Sequence, residues 1–368
     1  MKADKTPMYQ TIVEDLKQKI SSGAYSLTEP LPTQIEFARI YNTSEITTRR
    51  ALTELAGQGY VYRVRGKGTF IRLEPDGKPI DKSLALERIY LAHASIPLSM
   101  FNHRFYGDLV TGIYEICEEN GISFHMWDIG EKGVLPEKDG KTGFVLLPGA
   151  RMNPEVLRPW KEEERRLVTV HFYYPHLQIP YVIVDNLTGG FLATQHLLSL
   201  GHRRIGIVLT GKSFLEMNQE FSLRLQGYRL ALSQYNLDFD PELVSCIEAD
   251  EELAEMGYAG ARQLLSLPNP PTAIFVTSDY KAVGAMQAVK DLGMSVPGDV
   301  SVIGYDDVIA SPFLEPSLTT INQNTLAVGR RAAEMLLFKW KQNDGAALLK
   351  DEIVPKLIVR DSTAEFDA

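Results

Sequence analysis

Cysteine is scarce: the 368-residue chain has two, Cys117 within a helical pattern and Cys246 within a strand-like run. Two such residues make no disulfide framework and point to a reducing compartment. Runs of roughly 18 or more consecutive apolar residues are absent, and the first residues lack the apolar core of a secretory signal, so a cytoplasmic protein with no membrane partner is expected. The seven histidines show no HExxH or comparable spacing, and His171 to His176 spans a proline-bearing loop. Structural roles are expected for them, with neither metal nor cofactor. No GxSxG elbow, Walker loop or GxGxxG fingerprint occurs, which removes the signatures of covalent catalysis, nucleotide hydrolysis and dinucleotide binding. Asp306 and Asp307 are adjacent, but successive residues generally point apart, so they make no acid–base pair. The chain does not read as an enzyme.

What is present divides sharply. An apolar content of 44% and this length suffice for two or three ordinary globular domains. The first 72 residues hold 11 Lys and Arg against 7 Asp and Glu, while the whole chain is net −9, so the excess acid lies in the remainder. A basic head on an acidic body confines phosphate attraction to one end.

Within that head, Ile12, Val13, Leu16 and Ile20 recur at helical spacing. A second helix opens at Thr33, with Glu36 three residues on in the capping-box pattern, and its buried stripe is Phe37, Ala38 and Tyr41. Ser44 is placed to cap a third helix that turns Thr48, Ala51, Leu52 and Leu55 to one side and leaves Glu45, Ile46, Arg49, Arg50 and Thr53 outward. A short turn between two amphipathic helices, the second with a polar and cationic free face, is the arrangement that lays a helix in the major groove. Two strands follow, flanking Arg65, Gly66, Lys67 and Gly68, a tight hairpin whose glycines permit positive φ and whose cations reach phosphate or minor groove. Arg49 and Lys67 could be solvated surface cations, but the pattern of helices and hairpin around them favours DNA contact.

Residues 73–88, with two prolines, a glycine and many charges, read as a linker. From residue 89 strand-like runs alternate with amphipathic helical stretches, among them YVIVD, RRIGIVL, TAIFVTSD and VSVIGYDD. That alternation implies parallel sheets with right-handed crossovers, and its length fits two half-sheets better than one. Ligands of such sheets bind beyond the carboxyl ends of strands. Those ends carry Asn102, Phe105 and Tyr106 after the first strand, Asp185 after YVIV, Ser278 and Asp279 after TAIFVT, and Asp306 after VSVIGY; Arg224 lies on an intervening helix. Aromatic faces with a few Asp, Arg, Ser and Asn groups suit a polyhydroxylated or planar polar ligand. Asp185 and Asp279 are equally readable as helix caps, whereas Asp306 could cap a helix but, at a strand end where ligands sit, is favoured as a ligand contact.

The stretches Leu31-Pro32-Thr33, Thr47-Thr48-Arg49-Arg50-Ala51-Leu52 and Gly66-Lys67-Gly68-Thr69-Phe70 make the first 70 residues or so resemble the winged helix of GntR-type regulators. The resemblance implies a homodimer reading an inverted-repeat operator DNA, with Thr33, Gln34, Ser44, Glu45, Thr47, Arg49, Arg50 and the hairpin residues 65–68 at the DNA. The chain departs from the family at Glu45, where a cation is usual, and at Ile35, where a polar or basic residue is usual. Glu45 cannot hold a phosphate or the acceptor edge of guanine, but could accept from cytosine N4; exclusion of phosphate is the other reading.

From about residue 89 the chain resembles the effector domain of LacI-type regulators, carried by VDNLTGGFLATQHLLSLGHRRIGIV, RLQGYRLAL, the stretch from PTAIFVTSD to SLTTINQN, and LIVRDST. The fold class implied is α/β: a winged helix-turn-helix (1–72), a linker (73–88) and a two-lobed periplasmic-binding-protein-like domain (89–368) with two doubly wound parallel sheets. One lobe would take about 89–185 and 318–343, the other 186–317 and 344–368, with crossings near Asp185, Ser317 and Asn343. The resemblance places Arg224, Asp306, Phe105, Tyr106, Ser278 and Gln323 around a sugar or base. Where relatives have an aromatic wall, this chain has Asp250, Glu251 and Glu252, so the cleft is more polar or Tyr173 or Trp127 supplies a stacking face. A similar combination of head and body occurs in arabinose-type repressors. The function implied is a ligand-responsive repressor with a small sugar as effector; the alternative is a solute-binding protein serving a transporter.

Overall fold

The computed structural model describes residues 7–21, 24–25, 30–57, 60–64, 68–71, 86–94, 103–130, 134–148, 152–213, 216–248, 253–339 and 349–366. Residues 65–67 of the hairpin, 73–85 of the expected linker, Asn102, the acidic stretch 250–252 and Asn343 lie outside them. The chain divides into a smaller unit, residues 1–87 with the short segments 138–142 and 337–347, and a larger one holding the rest.

In the smaller unit, α1 (Met8–Ser21), α2 (Gln34–Ile40) and α3 (Glu45–Gly57) precede an antiparallel hairpin of β1 (Val61–Val64) and β2 (Gly68–Ile71). The helical spacing seen in the sequence becomes a single core of Ile12, Val13, Leu16, Ile20, Phe37, Ala51, Leu52 and Leu55, closed by Val61 and Ile71. Thr33 is the N-cap of α2, as the capping-box pattern implies: its hydroxyl accepts from the Glu36 amide, and the Glu36 carboxylate accepts from the Thr33 amide at 2.7 Å. This reciprocal pairing satisfies two donors that the first turn leaves without partners. Gly68 opens β2 at φ +118°, a conformation a side chain would strain.

The larger unit begins earlier than expected, because Arg88 already pairs as the first residue of a strand. Its first lobe contains β3 (Arg88–His93), α4 (Arg104–Glu119), β4 (Ser123–Asp128), β5 (Thr142–Leu147), α5 (Arg158–Glu162), β6 (Arg166–Val170) and β7 (Tyr181–Val184). The chain then builds the second lobe with α6 (Asn186–Ser199), β8 (Ile205–Thr210), α7 (Gln219–Gln234), β9 (Val244–Ile247), α8 (Ala254–Leu265), β10 (Ala273–Val276), α9 (Asp279–Asp291), β11 (Ser301–Ile303) and β12 (Thr320–Asn322). It returns through α10 (Thr325–Glu334) and β13 (Lys350–Ile353) to the first lobe and ends with β14 (Lys356–Ile358) on the second.

The first lobe is a six-stranded sheet in the order β13-β7-β6-β5-β3-β4, and the second a four-stranded sheet in the order β11-β10-β8-β9. Alternation along β8 shows the layering: Ile207 and Leu209 pack toward α6 and α7, while Val208 packs toward α8 and α9. One crossing falls at Asp185. The other two fall later than Ser317 and Asn343, the positions the sequence suggested. Ile321 on β12 is buried in the second lobe's core, so the chain crosses after it, before α10. Then β13 extends the first lobe's sheet beside β7, while β14 pairs antiparallel with β12, so the last crossing lies between Ile353 and Lys356. Neither β13 nor β14 was read from the sequence.

Two glycines bring α6 and α7 into backbone contact. A Cβ on Gly190 would overlap the Arg224 carbonyl, and one on Gly227 the Leu187 carbonyl. This approach holds Arg224 against the start of α6.

Candidate nucleic-acid interface and effector cleft

The turn between α2 and α3 is set by Thr48, whose buried hydroxyl donates to the Gln34 carbonyl at 2.9 Å. Ser44 caps α3 by accepting from the Thr47 amide at 3.2 Å, and the two hydroxyls lie 2.9 Å apart. With Thr48, Ala51, Leu52 and Leu55 buried, the opposite face of α3 presents Glu45, Ile46, Arg49, Arg50 and Thr53 to solvent. Arg49 is braced at 3.1 Å by the Gln34 side-chain oxygen, and the Arg50 guanidinium lies 3.9 Å from the Tyr9 ring centroid. The helix therefore carries pre-positioned cations behind an acidic and apolar first turn. Gly68 is at the base of the hairpin; Arg65, Gly66 and Lys67 fall outside the described residues.

The expected effector residues that can be placed divide into two groups. Some are committed to local structure. Asp185 caps α6, accepting from the Thr188 amide at 2.9 Å, and Ser278 caps α9. Asp279 is wholly buried, accepting from the hydroxyls of Ser311 and Thr320 and from the Val308 amide. Burial pushes its carboxyl up to about 6 despite those donors.

The others converge where the lobes meet. Arg224, 2% exposed, donates to the Asn186 side-chain oxygen at 2.8 Å and the Thr277 carbonyl at 2.7 Å, and lies 3.7 Å from the Tyr305 ring centroid. Tyr305 donates to the same Asn186 oxygen, and burial raises its phenol above the usual range. Asp306 sits at φ +115° and caps no helix; it accepts from Gln323 and has His103 at 4.0 Å. Asp307 points elsewhere, to Arg360 at 2.6 Å and Arg104 at 3.2 Å. Phe105 is buried with its ring 5.0 Å from both Tyr106 and His171.

Several residues at this junction went unnoticed in the sequence. His103 caps α4 and packs 5.0 Å from the Tyr280 ring. Glu220 on α7 lies 3.6 Å from Arg224 and 3.4 Å from His171 of the first lobe. Gln219 exchanges hydrogen bonds with the Tyr173 backbone. Glu220 could have been found from its i,i+4 spacing to Arg224; nothing local signals His171, which lies 49 residues upstream of Glu220 in sequence. Of the two aromatics proposed as a stacking wall, Trp127 packs within the first lobe's sheet against Tyr90, whereas Tyr173 lies at the lobe junction. Among the described residues no group of three or more His, Cys, Asp and Glu could hold a metal ion, and no helix is long and apolar enough to cross a membrane.

A helix-turn-helix with an antiparallel hairpin, followed by two parallel α/β lobes crossed three times by the chain, defines a ligand-linked transcription regulator. The chain belongs to the transcriptional repressors that join a GntR-type DNA-binding domain to a LacI-type, periplasmic-binding-protein-like body. Residues 8–71 match the model of bacterial regulatory proteins of the gntR family, and residues 194–363 that of the periplasmic binding protein-like domain. The chain is 28% identical over 380 residues to the arabinose metabolism transcriptional repressor of Geobacillus stearothermophilus, covering 100% of both. It is 37% identical over 275 residues to the HTH-type transcriptional repressor CytR of Escherichia coli K12, covering 70% of this chain and 75% of that one. A solved transcriptional regulator CelR–cellobiose complex superposes with a TM-score of 0.64 at 26% identity, covering 90% of this chain and all of the other.

Proposed function

We propose that this protein is a cytoplasmic, homodimeric repressor of sugar-utilisation genes that binds an inverted-repeat operator and takes a small sugar between its lobes. The observation that carries the reading is the convergence of Arg224, Glu220, Asp306, Gln323 and His103 with the rings of Phe105, Tyr106 and His171 at the lobe junction. Carboxylates and a guanidinium take hydroxyls in fixed directions, and aromatic faces take the C–H face of a pyranose or furanose. Asn102, Asp185 and Ser278 complete the set of effector residues, the last two from the N-caps of their helices. At the operator, Thr33, Gln34, Ser44, Glu45, Thr47, Arg49 and Arg50 face the major groove, with the hairpin 65–68 on the adjacent backbone.

Effector binding acts by favouring one lobe arrangement over another, a coupling of typically about 1–3 kcal/mol. The test is titration of a panel of pentoses, hexoses, disaccharides and nucleosides while operator binding is followed by fluorescence anisotropy. A tenfold or greater change with one sugar is expected; no change with any sugar overturns the effector assignment.

A further inference from the structure

We infer that Ile46 reads the C5-methyl group of a thymine in the operator, with Ile35 extending the same apolar contact. The inference rests on the operator-binding reading and adds a base identity to it. Ile46 is 78% exposed and Ile35 45% exposed, in the first turns of α3 and α2. Ile46, Arg49, Arg50 and Thr53 follow at i, i+3, i+4 and i+7, so Ile46 leads the outward stripe of the helix whose N-terminal residues meet base edges in this architecture. Ile35 directly follows Gln34, which is tied to α3 twice, through its carbonyl to Thr48 and through its side chain to Arg49.

An isoleucine side chain has no donor or acceptor for phosphate or for base heteroatoms. The one apolar feature of the major-groove edge is the thymine methyl. Glu45, exposed beside Ile46, repels phosphate and so turns this end of α3 toward bases rather than backbone. The braced positions of Arg49 and Arg50 place the cations one turn further along, where they hold the helix in register.

The experiment uses the full-length protein. A binding sequence is first selected from a random duplex library, and each thymine of the selected duplex is then replaced in turn by deoxyuridine, which keeps every hydrogen-bonding group and removes only the methyl. At one or more positions in each half-site the unmodified protein should lose about fourfold in affinity. Ile46→Ala should bind the thymine duplex that much more weakly and be indifferent to uridine at the same position. Undiminished binding of every uridine duplex by the unmodified protein, or full methyl sensitivity in Ile46→Ala, overturns the inference while leaving operator binding intact. Enrichment of no sequence overturns operator recognition itself and this inference with it.

Discussion

The Glu220 carboxylate lies 3.4 Å from the His171 imidazole on the opposite lobe and 3.6 Å from Arg224 on its own. One acidic group thus neutralises a buried guanidinium and tethers the two lobes. Gln219, its neighbour, adds paired hydrogen bonds to the Tyr173 backbone. Removing both side chains in Gln219→Ala/Glu220→Ala should release this edge of the junction. Small-angle scattering of the ligand-free protein should then give a larger radius of gyration than the unmodified chain; equal radii would show that these contacts do not hold the lobes.

Arg224 is as much a structural residue as a candidate ligand. Arg224→Ala would leave the Asn186 oxygen and Thr277 carbonyl short of a donor and a gap over Tyr305. Truncating one member of a buried charged network costs on the order of 3 kcal/mol or more. Urea unfolding without any sugar should show a midpoint well below that of the unmodified protein. An unchanged midpoint would mean that the guanidinium serves binding alone.

Asp279 gives stability a pH dependence of definite sign. Its folded-state pKa, about 6, lies above the ordinary carboxyl value, so the folded protein holds this proton more tightly than the unfolded chain does. The contribution is fully present below about pH 4 and is lost as pH rises through about 6. Several exposed carboxylates, Glu36 and Asp299 among them, have lowered values and act in the opposite sense, so the comparison must be with a variant. The stability difference between the unmodified protein and Asp279→Asn should shrink between pH 4.5 and pH 6.5, read from denaturant midpoints; parallel profiles would contradict the assignment.

At the operator, Arg49→Ala should weaken specific binding by about 1–3 kcal/mol at unchanged salt dependence if the guanidinium reads a base. Gln34→Ala, which removes the brace on Arg49 together with Gln34's own groove-facing amide, should also weaken binding. A variant Arg49→Ala whose main effect is a shallower dependence on salt would reassign the residue to phosphate.

The parts legible in the sequence were those set by local pattern. The stripe Ile12, Val13, Leu16, Ile20 and the Thr33–Glu36 cap are encoded within a turn or two of helix, and they occur as read. Strand ends with polar residues were equally plain, and Asp306 and Gln323 do meet, though 17 residues apart. What stayed hidden depends on distant pairing. KDEI at 350–353 is three charged residues and one isoleucine, with no strand alternation, and becomes a strand because β7 offers an open edge; KLI at 356–358 becomes one because β12 does. The same holds for His171 and Glu220, joined only when the lobes come together.

The contact of Gly190 and Gly227 gives α6 and α7 a bearing without play. Because main chain rests on main chain there, no rotamer change can let one helix slide past the other. Asn186, at the head of α6, and Arg224, on α7, therefore travel as a single plate. Whatever angle the lobes adopt, the second lobe delivers these two groups in fixed register to one another, and adjustment to a ligand falls on side chains outside that plate, such as the first lobe's His103, Tyr106 and His171.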